Sequence, residues 1–294
     1  MLRQIYYKLP PQYRFTARRL FYAPTDFWEK ITGKRPPMTP PRGLTYTGSG
    51  DFVRLGDWWR DFFIENARLK PSHRVLDVGS GIGRIARGLT SFLEYSPKKG
   101  SDTEGGTYDG FDVIGLGVDW CNKHIAARFP NFRFLYVPLK NDLYRNDGEK
   151  ADAFVFPFQD DSFDLVILTS VFTHMVAEEV AHYLIEIQRV MADEGVCVAT
   201  FFVLNNDSRK AMASNPHFNF PHDFGHYALM DADVQSANVA FDEAFLEKIV
   251  AESGLKIKQK VVGFWSHGER STPKDSYQDV WIFEKIESAT DDTD

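Results

Sequence analysis

The chain has 294 residues, of which 43% are hydrophobic, and a formal net charge of −7 at pH 7. This length and apolar content allow one elaborated domain or two small ones. The two cysteines provide no disulfide framework, which predicts a reducing, cytoplasmic environment. No apolar run reaches the length of a transmembrane helix, and the basic N-terminus lacks the apolar region of a secretory signal.

The charge is unevenly distributed along the chain. Residues 1–42 contain nine Lys and Arg against Asp26 and Glu29, a balance of +7, so the remainder carries −14. An acidic body argues against nucleic acid as a partner. Aromatic residues and proline pairs in this N-terminal arm, residues 1–43, indicate short helices separated by turns. Two interpretations stay open: peripheral contact of residues 1–42 with an anionic membrane surface, or an arm folded onto the acidic body of the same chain or of a second subunit.

The most informative stretch is residues 74–86, which read RVLDVGSGIGRIA. A short apolar run bounded by glycines predicts a buried parallel strand, a turn and a helix that starts near residue 82. A dinucleotide-binding fingerprint requires glycine at the first, third and sixth places, but the sixth place is Arg84. This spacing therefore argues against a nucleotide-dependent oxidoreductase.

Asp77 followed by Gly79, Gly81 and Gly83 resembles the first motif of the class I S-adenosylmethionine (SAM)-dependent methyltransferases. In that family the loop backbone cradles the methionine end of SAM, and the acidic residue anchors the amino group. The resemblance extends over roughly residues 44–286. It implies an α/β, doubly wound, mostly parallel seven-stranded sheet of Rossmann-like methyltransferase type, with an antiparallel last strand and an N-terminal helical extension.

The same resemblance implies which residues border the cofactor. Ser80 and Arg84 belong to the glycine loop. The segment before the first motif closes over the cofactor in this family, which makes Asp51 and Phe52 candidate contacts with SAM or substrate. A turn residue and a core aromatic are the structural alternative for these two positions.

A second predicted strand covers residues 108–113. Asp112 lies at its carboxyl end, where this fold places an acidic residue on the ribose hydroxyls. Val113 follows it as a further cofactor contact. Asp119 is the rival acid, but an apolar stripe predicts a helix from about residue 116, which favours Asp112. The gap between the glycines and Asp112 is long because residues 96–107 form a polar loop.

Further along, three short motifs resemble the family. They are the Asp-Ala pair at residues 152–153, a Pro-Phe turn at residues 157–158, and the Ser-Phe-Asp sequence at residues 162–164, which opens the fourth strand. The matching Asp152 is expected to accept from the adenine amino group, with Ala153 covering the ring. Thr169 and Ser170 end the fourth strand and are candidate cofactor contacts. His174 follows at the same sheet edge, where ligands bind in open α/β sheets.

Residues 205–240 look irregular and aromatic, and they contain His217, His222 and His226. A long segment of this kind predicts an acceptor-side lid that becomes ordered when ligands bind. The histidine spacings match no metal signature, so no metal is predicted. Two final strands suit an antiparallel pair, and residues 287–294 form an acidic tail that is predicted to be disordered.

The resemblance implies a SAM-dependent methyltransferase that releases S-adenosylhomocysteine. O-methylation of a small-molecule, sugar or lipid-linked acceptor is the leading hypothesis, and a sugar hydroxyl needs a general base. The candidate bases are His174, His222 and His226. N-methylation of a small amine and a SAM-binding protein without turnover are the alternatives. The expected location is the cytoplasm, with a peripheral membrane association if the arm binds lipid.

Overall fold

The computed structural model describes residues 11–48, 50–95, 105–140, 148–214, 218–268, 270–272 and 275–286, without the side chains of residues 11–14. Most of the polar loop predicted at residues 96–107, the predicted acidic tail and His217 lie outside the described residues. Two compact units are distinguished along the chain. One comprises Met1–His73 and Gly79–Gly148, and the other comprises Arg74–Val78 and Glu149–Asp294.

The first described element of the first unit is a long helix. Its helices are α1 (Pro11–Ile31), α2 (Phe52–Ala67), α3 (Arg84–Leu89) and α4 (Gly115–Cys121), and its strands are β2 (Thr107–Asp112) and β3 (Phe132–Tyr136). A π-helical turn, Asn122–Ala126, continues α4. β2 and β3 run parallel, with Tyr108 opposite Phe132.

The second unit contains the remaining strands and three helices. Its strands are β1 (Arg74–Val78), β4 (Phe163–Leu168), β5 (Met191–Phe201), β6 (Val203–Leu204), β7 (His222–Asp223), β8 (Tyr227–Leu229), β9 (Val239–Asp242), β10 (Leu255–Val261) and β11 (Asp279–Lys285). Its helices are α5 (Ala177–Val190), α6 (Asn206–Ala213) and α7 (Glu243–Glu252). Short 3₁₀ turns cover Ala151–Ala153, Phe172–His174 and Gln235–Ala237.

Seven strands form one sheet in the order β10-β11-β5-β4-β1-β2-β3. β1 pairs parallel to β4, and β4 pairs parallel to β5. β11 is antiparallel to both β5 and β10. The predicted fold, a mostly parallel seven-stranded sheet with an antiparallel last strand, is confirmed. In the central strands β1 and β4, residues 75–78 and 165–168 are buried and consist of Val, Leu and Ile except for Asp77, as expected for parallel strands covered on both faces.

Residues 205–240 are more regular than the sequence suggested. They contain α6, and they contribute β7, β8 and the first half of β9 to a second sheet in the order β6-β9-β8-β7. Beneath it lies a buried apolar cluster that includes Phe202, Phe220 and Trp265. The strands have only two to four residues each, too few for an alternating pattern to be recognised in the sequence.

The N-terminal arm also differs from the prediction of short helices, because α1 is a single helix of 21 residues. It starts at Pro11, where a missing N–H costs nothing, and Pro24 lies within it. The Asp26 carboxylate accepts from the backbone N–H groups of Arg42 (2.7 Å) and Gly43 (2.9 Å), which fixes one face of the helix. Within the described residues, no helix is long and apolar enough to cross a membrane.

Candidate functional site

The glycine loop has the backbone conformation that its sequence predicts. Gly79, Gly81 and Gly83 all have positive φ values, +75°, +59° and +77°. This left-handed region is accessible to glycine without steric cost, which explains glycine at alternate positions. The N–H groups of Gly79 and Ser80 both donate to the carbonyl of Phe111, at 2.9 and 3.0 Å. The loop is therefore fixed to the end of β2. Asp77, in β1, is buried.

Asp112 ends β2 and holds the glycine loop directly. Its carboxylate accepts from the Gly81 N–H at 2.7 Å and from the Ile114 N–H at 2.8 Å. Burial raises the pKa of Asp112 to about 6, while these backbone hydrogen bonds oppose the shift. The group is thus mainly ionised at pH 7. A carboxylate has about four acceptor positions, so capacity remains for ligand hydroxyls. The rival Asp119 is exposed on α4.

Residues 46–48 lie against the same loop. A Cβ on Gly81 would stand 2.7 Å from Thr47 Cγ2, and a Cβ on Gly117 would overlap the Tyr46 hydroxyl. Arg84 fixes the segment, because its Nη2 donates to the carbonyl of Thr47 at 2.6 Å. The glycines are therefore also required by close protein packing.

Asp51 and Phe52 occupy the start of α2. The Asp51 carboxylate accepts from the Arg54 N–H at 2.8 Å and is the N-cap of the helix. Phe52 is buried, and the Arg84 guanidinium lies 5.5 Å from its ring centroid. Both side chains thus have structural roles in the first unit, and their contact with a cofactor stays a prediction.

A polar network forms at the carboxyl end of β4 in the second unit. Ser170 has a φ of +57°, which is unusual outside glycine. Its N–H donates to Thr200 Oγ1 at 2.7 Å and its hydroxyl donates to Gln278 Oε1 at 2.9 Å. The Thr200 hydroxyl also donates to Gln278 Oε1, at 2.7 Å. Thr169, the preceding residue, is half-buried. These bonds hold the turn that leads to His174.

His174 is half-buried in the 3₁₀ turn after β4, and its Nδ1 lies 2.7 Å from the carbonyl oxygen of Ser236. A carbonyl only accepts, so we assign the proton to Nδ1, which leaves Nε2 as the basic nitrogen. Burial lowers the pKa of His174, although the backbone hydrogen bonds oppose the shift. The imidazole is therefore neutral at pH 7 and able to take a proton.

The other predicted side chains of the second unit are exposed. Asp152 and Ala153 lie on the surface of a 3₁₀ turn. His222 is exposed in β7, and His226 is exposed with its ring centroid 4.5 Å from that of Phe245. Val113 in the first unit is half-buried. In the described ranges, no group of three His, Cys, Asp or Glu could hold a metal ion.

Comparisons with known proteins agree with this geometry. The sequence model of the "Methyltransferase domain" family matches residues 114–199. The resemblance to class I SAM-dependent methyltransferases is thereby confirmed. Sterol 24-C-methyltransferase erg6 of Schizosaccharomyces pombe is 27% identical over 144 residues, which are 47% of this chain and 30% of that protein. The chain thus matches less than a third of this relative.

The fold is also that of a solved structure. The PH0226 protein from Pyrococcus horikoshii OT3 has a TM-score of 0.55 at 14% sequence identity, covering 82% of this chain and 94% of that one. At this identity the comparison shows the fold alone. The match to the methyltransferase-domain model and the fold together imply SAM as the cofactor.

Two buried polar atoms beside the glycine loop fit such a cofactor. Ser80 Oγ and Thr47 Oγ1 are buried and have no hydrogen-bond partner among the described residues. Buried polar atoms are normally hydrogen-bonded, so these hydroxyls are expected to bond to a polar ligand. The first unit would hold SAM through the loop backbone, the two hydroxyls and Asp112. SAM supplies an electrophilic methyl group.

Sequence reasoning missed Tyr46, Thr47, Thr200 and Gln278. Thr47 lies 34 positions before Gly81 in a segment without motif or periodicity, and Gln278 lies 108 positions after Ser170. Neither Thr47 nor Gln278 belongs to a sequence pattern with a known mechanism, so sequence reasoning had no basis for selecting them. Only the tertiary structure brings them to the glycine loop and to the end of β4.

We expect Asp112→Ala to weaken SAM binding more than tenfold, because removal of a charged hydrogen-bond partner costs about 1.5–3 kcal/mol. Calorimetric titration with SAM measures the change. Asp119→Ala is the matched control, since its carboxylate is exposed on the helix that follows. A loss of affinity in Asp119→Ala with unchanged affinity in Asp112→Ala would show that the acid is assigned wrongly.

Proposed function

We propose that this methyltransferase transfers a methyl group to oxygen of a small-molecule, sugar or lipid-linked acceptor. The observation that carries the proposal is His174, a neutral imidazole after β4 with its Nδ1 proton held by a backbone carbonyl. A hydroxyl acceptor must lose a proton as it attacks, and a histidine held in one tautomer provides the basic nitrogen for it. His222 and His226 are the alternative bases in the same unit.

The proposed reaction is an in-line displacement. SAM would supply its methyl group to a lone pair of the acceptor oxygen, and sulfur would keep the electron pair of the broken carbon–sulfur bond, giving S-adenosylhomocysteine. His174 Nε2 would take the hydroxyl proton. Because positive charge on sulfur is neutralised, the protein mainly has to hold the two reactants at near-attack distance. The Ser170–Thr200–Gln278 hydrogen bonds support this by fixing the turn before His174.

A lipid-like acceptor is favoured by the relative's name, a sterol methyltransferase. That name also suggests carbon as the methylated atom. Methylation at carbon needs an acceptor with a nucleophilic double bond. N-methylation of an amine and SAM binding without turnover are the remaining alternatives. We also propose that residues 1–42 contact the membrane surface that carries a lipid-linked acceptor, because the arm combines basic and aromatic residues.

A labelled-methyl experiment tests the proposed function. The protein is incubated with SAM carrying a ¹³C methyl group and with cell extract, which is then separated into aqueous and organic phases. We expect label in a product whose ¹³C shift identifies an O-methyl group. An N-methyl or C-methyl shift would overturn oxygen as the acceptor atom, and SAM binding without any labelled product would support a protein without turnover.

We propose that residues 205–240 form the acceptor-side lid, and hydrogen exchange gives a direct prediction for them. Residues 222–226 are exposed, whereas Val239–Phe241 of the adjacent β9 are fully buried. SAM plus acceptor should slow exchange of the amides around residues 222–226, while β9 serves as an internal control that is slow throughout. Unchanged exchange at residues 222–226 with both ligands bound would contradict the lid.

A further inference from the structure

Helix α1 has an apolar face that the rest of the first unit leaves uncovered. Leu20, Phe21, Phe27, Trp28 and Ile31 are all exposed, from 57% for Trp28 to 76% for Phe21. With the exposed Pro24 they follow the spacing i, i+1, i+4, i+7, i+8 and i+11, which places them along one side of a helix. This surface is called the α1 outer face below.

The opposite face of α1 is held within the first unit. The Asp26 carboxylate accepts from the backbone N–H groups of residues 42 and 43. Arg35 forms ion pairs with Asp26 and with Glu29. Glu29 also pairs with Arg42 at 2.7 Å. The helix is thus anchored by its polar side. Its aromatic side chains remain in water at a hydrophobic cost, and such exposed apolar surfaces commonly mark an interaction site.

Basic residues border the outer face. Arg19, Lys30 and Lys34 are exposed, and none of them pairs with an acid among the described residues. At 100° per residue, Arg19 and Lys30 lie on one flank of the apolar stripe, next to Phe27. Lys34 follows the end of α1. Arg35 and Arg42 are paired with acids, and Arg18 donates to the carbonyl of Arg42 at 3.2 Å on the anchored side. Arg19 and Lys30 are therefore the exposed helix cations that border the outer face.

We propose that the α1 outer face docks on an anionic phospholipid bilayer, with the helix axis parallel to the membrane plane. The aromatic and aliphatic side chains enter the headgroup–acyl boundary, and Arg19, Lys30 and Lys34 meet lipid phosphates. A helix with aromatic and leucine side chains on one face and basic residues beside it is typical of such interfacial binding. The inference rests on the proposed membrane contact and assigns it to one face of one helix.

Charge favours a bilayer over a second copy of the chain. Two copies joined through this face would bring the same flanking cations together, whereas an anionic surface neutralises them. Trp28 and the phenylalanines also suit the interface, where aromatic rings sit at headgroup level. Because α1 is already anchored by Asp26, docking requires no folding of the helix.

Vesicle flotation with the full-length protein tests the proposal. At low salt the protein should float with vesicles of phosphatidylcholine and phosphatidylglycerol and stay in solution with phosphatidylcholine alone. Phe21→Ser/Phe27→Ser should lower the partition coefficient by about tenfold or more, because burial of each ring is favourable. Ile185→Ser/Val262→Ser is the matched control, since both residues are exposed apolar side chains of the second unit.

A charge variant tests the flank. Arg19→Gln/Lys30→Gln/Lys34→Gln should reduce flotation, and added salt should reduce flotation of the wild-type protein. The control with the same net charge replaces three exposed lysines elsewhere: Lys70→Gln/Lys123→Gln/Lys210→Gln. Equal flotation of the two charge variants would show that total charge, and no particular face, controls binding.

The remaining outcomes separate this inference from the proposed function. Failure of the wild-type protein to float with anionic vesicles, or equal flotation of the phenylalanine variant, would overturn docking through this face. Concentration-dependent dimers that the phenylalanine variant abolishes, without flotation, would identify a second copy as the occupant. SAM affinity and the melting temperature should be unchanged in all variants, so a failed docking test leaves the methyltransferase assignment intact.

Discussion

Gly81→Val is expected to abolish measurable SAM binding. The residue has a φ of +59°, and a new Cβ would stand 2.7 Å from Thr47 Cγ2. The substituted residue must therefore strain its backbone, which costs on the order of 1–3 kcal/mol, and also displace Thr47 or the loop. Both changes move the Gly81 N–H that donates to Asp112. Calorimetric titration with SAM measures the loss.

Gly33→Val is the matched control. Gly33 also has a positive φ, +66°, but a Cβ there meets nothing within 4 Å. The control therefore carries the backbone strain of a β-branched residue without the steric displacement. We expect it to keep wild-type SAM affinity and to lose a little thermal stability. SAM affinity in Gly81→Val equal to that of the control would rule out the glycine loop as the cofactor site.

The structure changes the physical reason for this expectation. In the family that the chain resembles, the loop backbone cradles SAM, so a side chain at position 81 is expected to obstruct the ligand directly. In the structure, the nearest atom to that side chain belongs to Thr47, whose Oγ1 is itself buried without a hydrogen-bond partner in the described part of the chain. The substitution would thus act partly through a residue that no motif identifies.

Features encoded by neighbouring residues were predicted from the sequence. β1 and β4 are mostly apolar and rich in Val, Leu and Ile, a composition typical of strands that are buried on both faces, so their place in the sheet centre agrees with composition. The alternate glycines predict a left-handed loop because other residues avoid that conformation. Asp112 was preferred to Asp119 because Asp112 ends a strand. In the structure, the Asp112 carboxylate accepts from the Gly81 N–H of the glycine loop. Its contact with ribose stays a prediction.

Features that depend on distant residues were not predicted. The bonds from Ser170 to Gln278 join two turns whose sequences carry no common pattern. The second sheet was missed because strands of two to four residues are too short to show periodicity. α1 was predicted as several short helices because of the proline pairs in the arm, but these pairs lie at or beyond the ends of α1, and Pro24 within it removes only one helical hydrogen bond. In each case long-range packing outweighs the local signal.

His174→Gln is expected to lower kcat by about 10²- to 10⁴-fold, the usual contribution of a general base, with unchanged SAM affinity. Glutamine keeps a polar group near the Ser236 carbonyl but provides no basic nitrogen. A labelled-methyl assay at saturating SAM measures kcat, and calorimetry measures SAM binding. His267→Gln is the control, because that ring is exposed in the same unit and is not a candidate base.

The pH profile distinguishes a base from a structural role. Burial lowers the pKa of His174, so the imidazole stays neutral, and active as a base, to a pH below the usual histidine range near 6.5. The wild-type kcat should therefore decrease only as the pH falls through that lowered pKa, and this acidic limb should be absent from His174→Gln. A variant with reduced kcat and the same acidic limb would mean that another group takes the proton. A large loss in His222→Gln or His226→Gln, with little change in His174→Gln, would assign the base to the second sheet and leave the turn after β4 with a structural role.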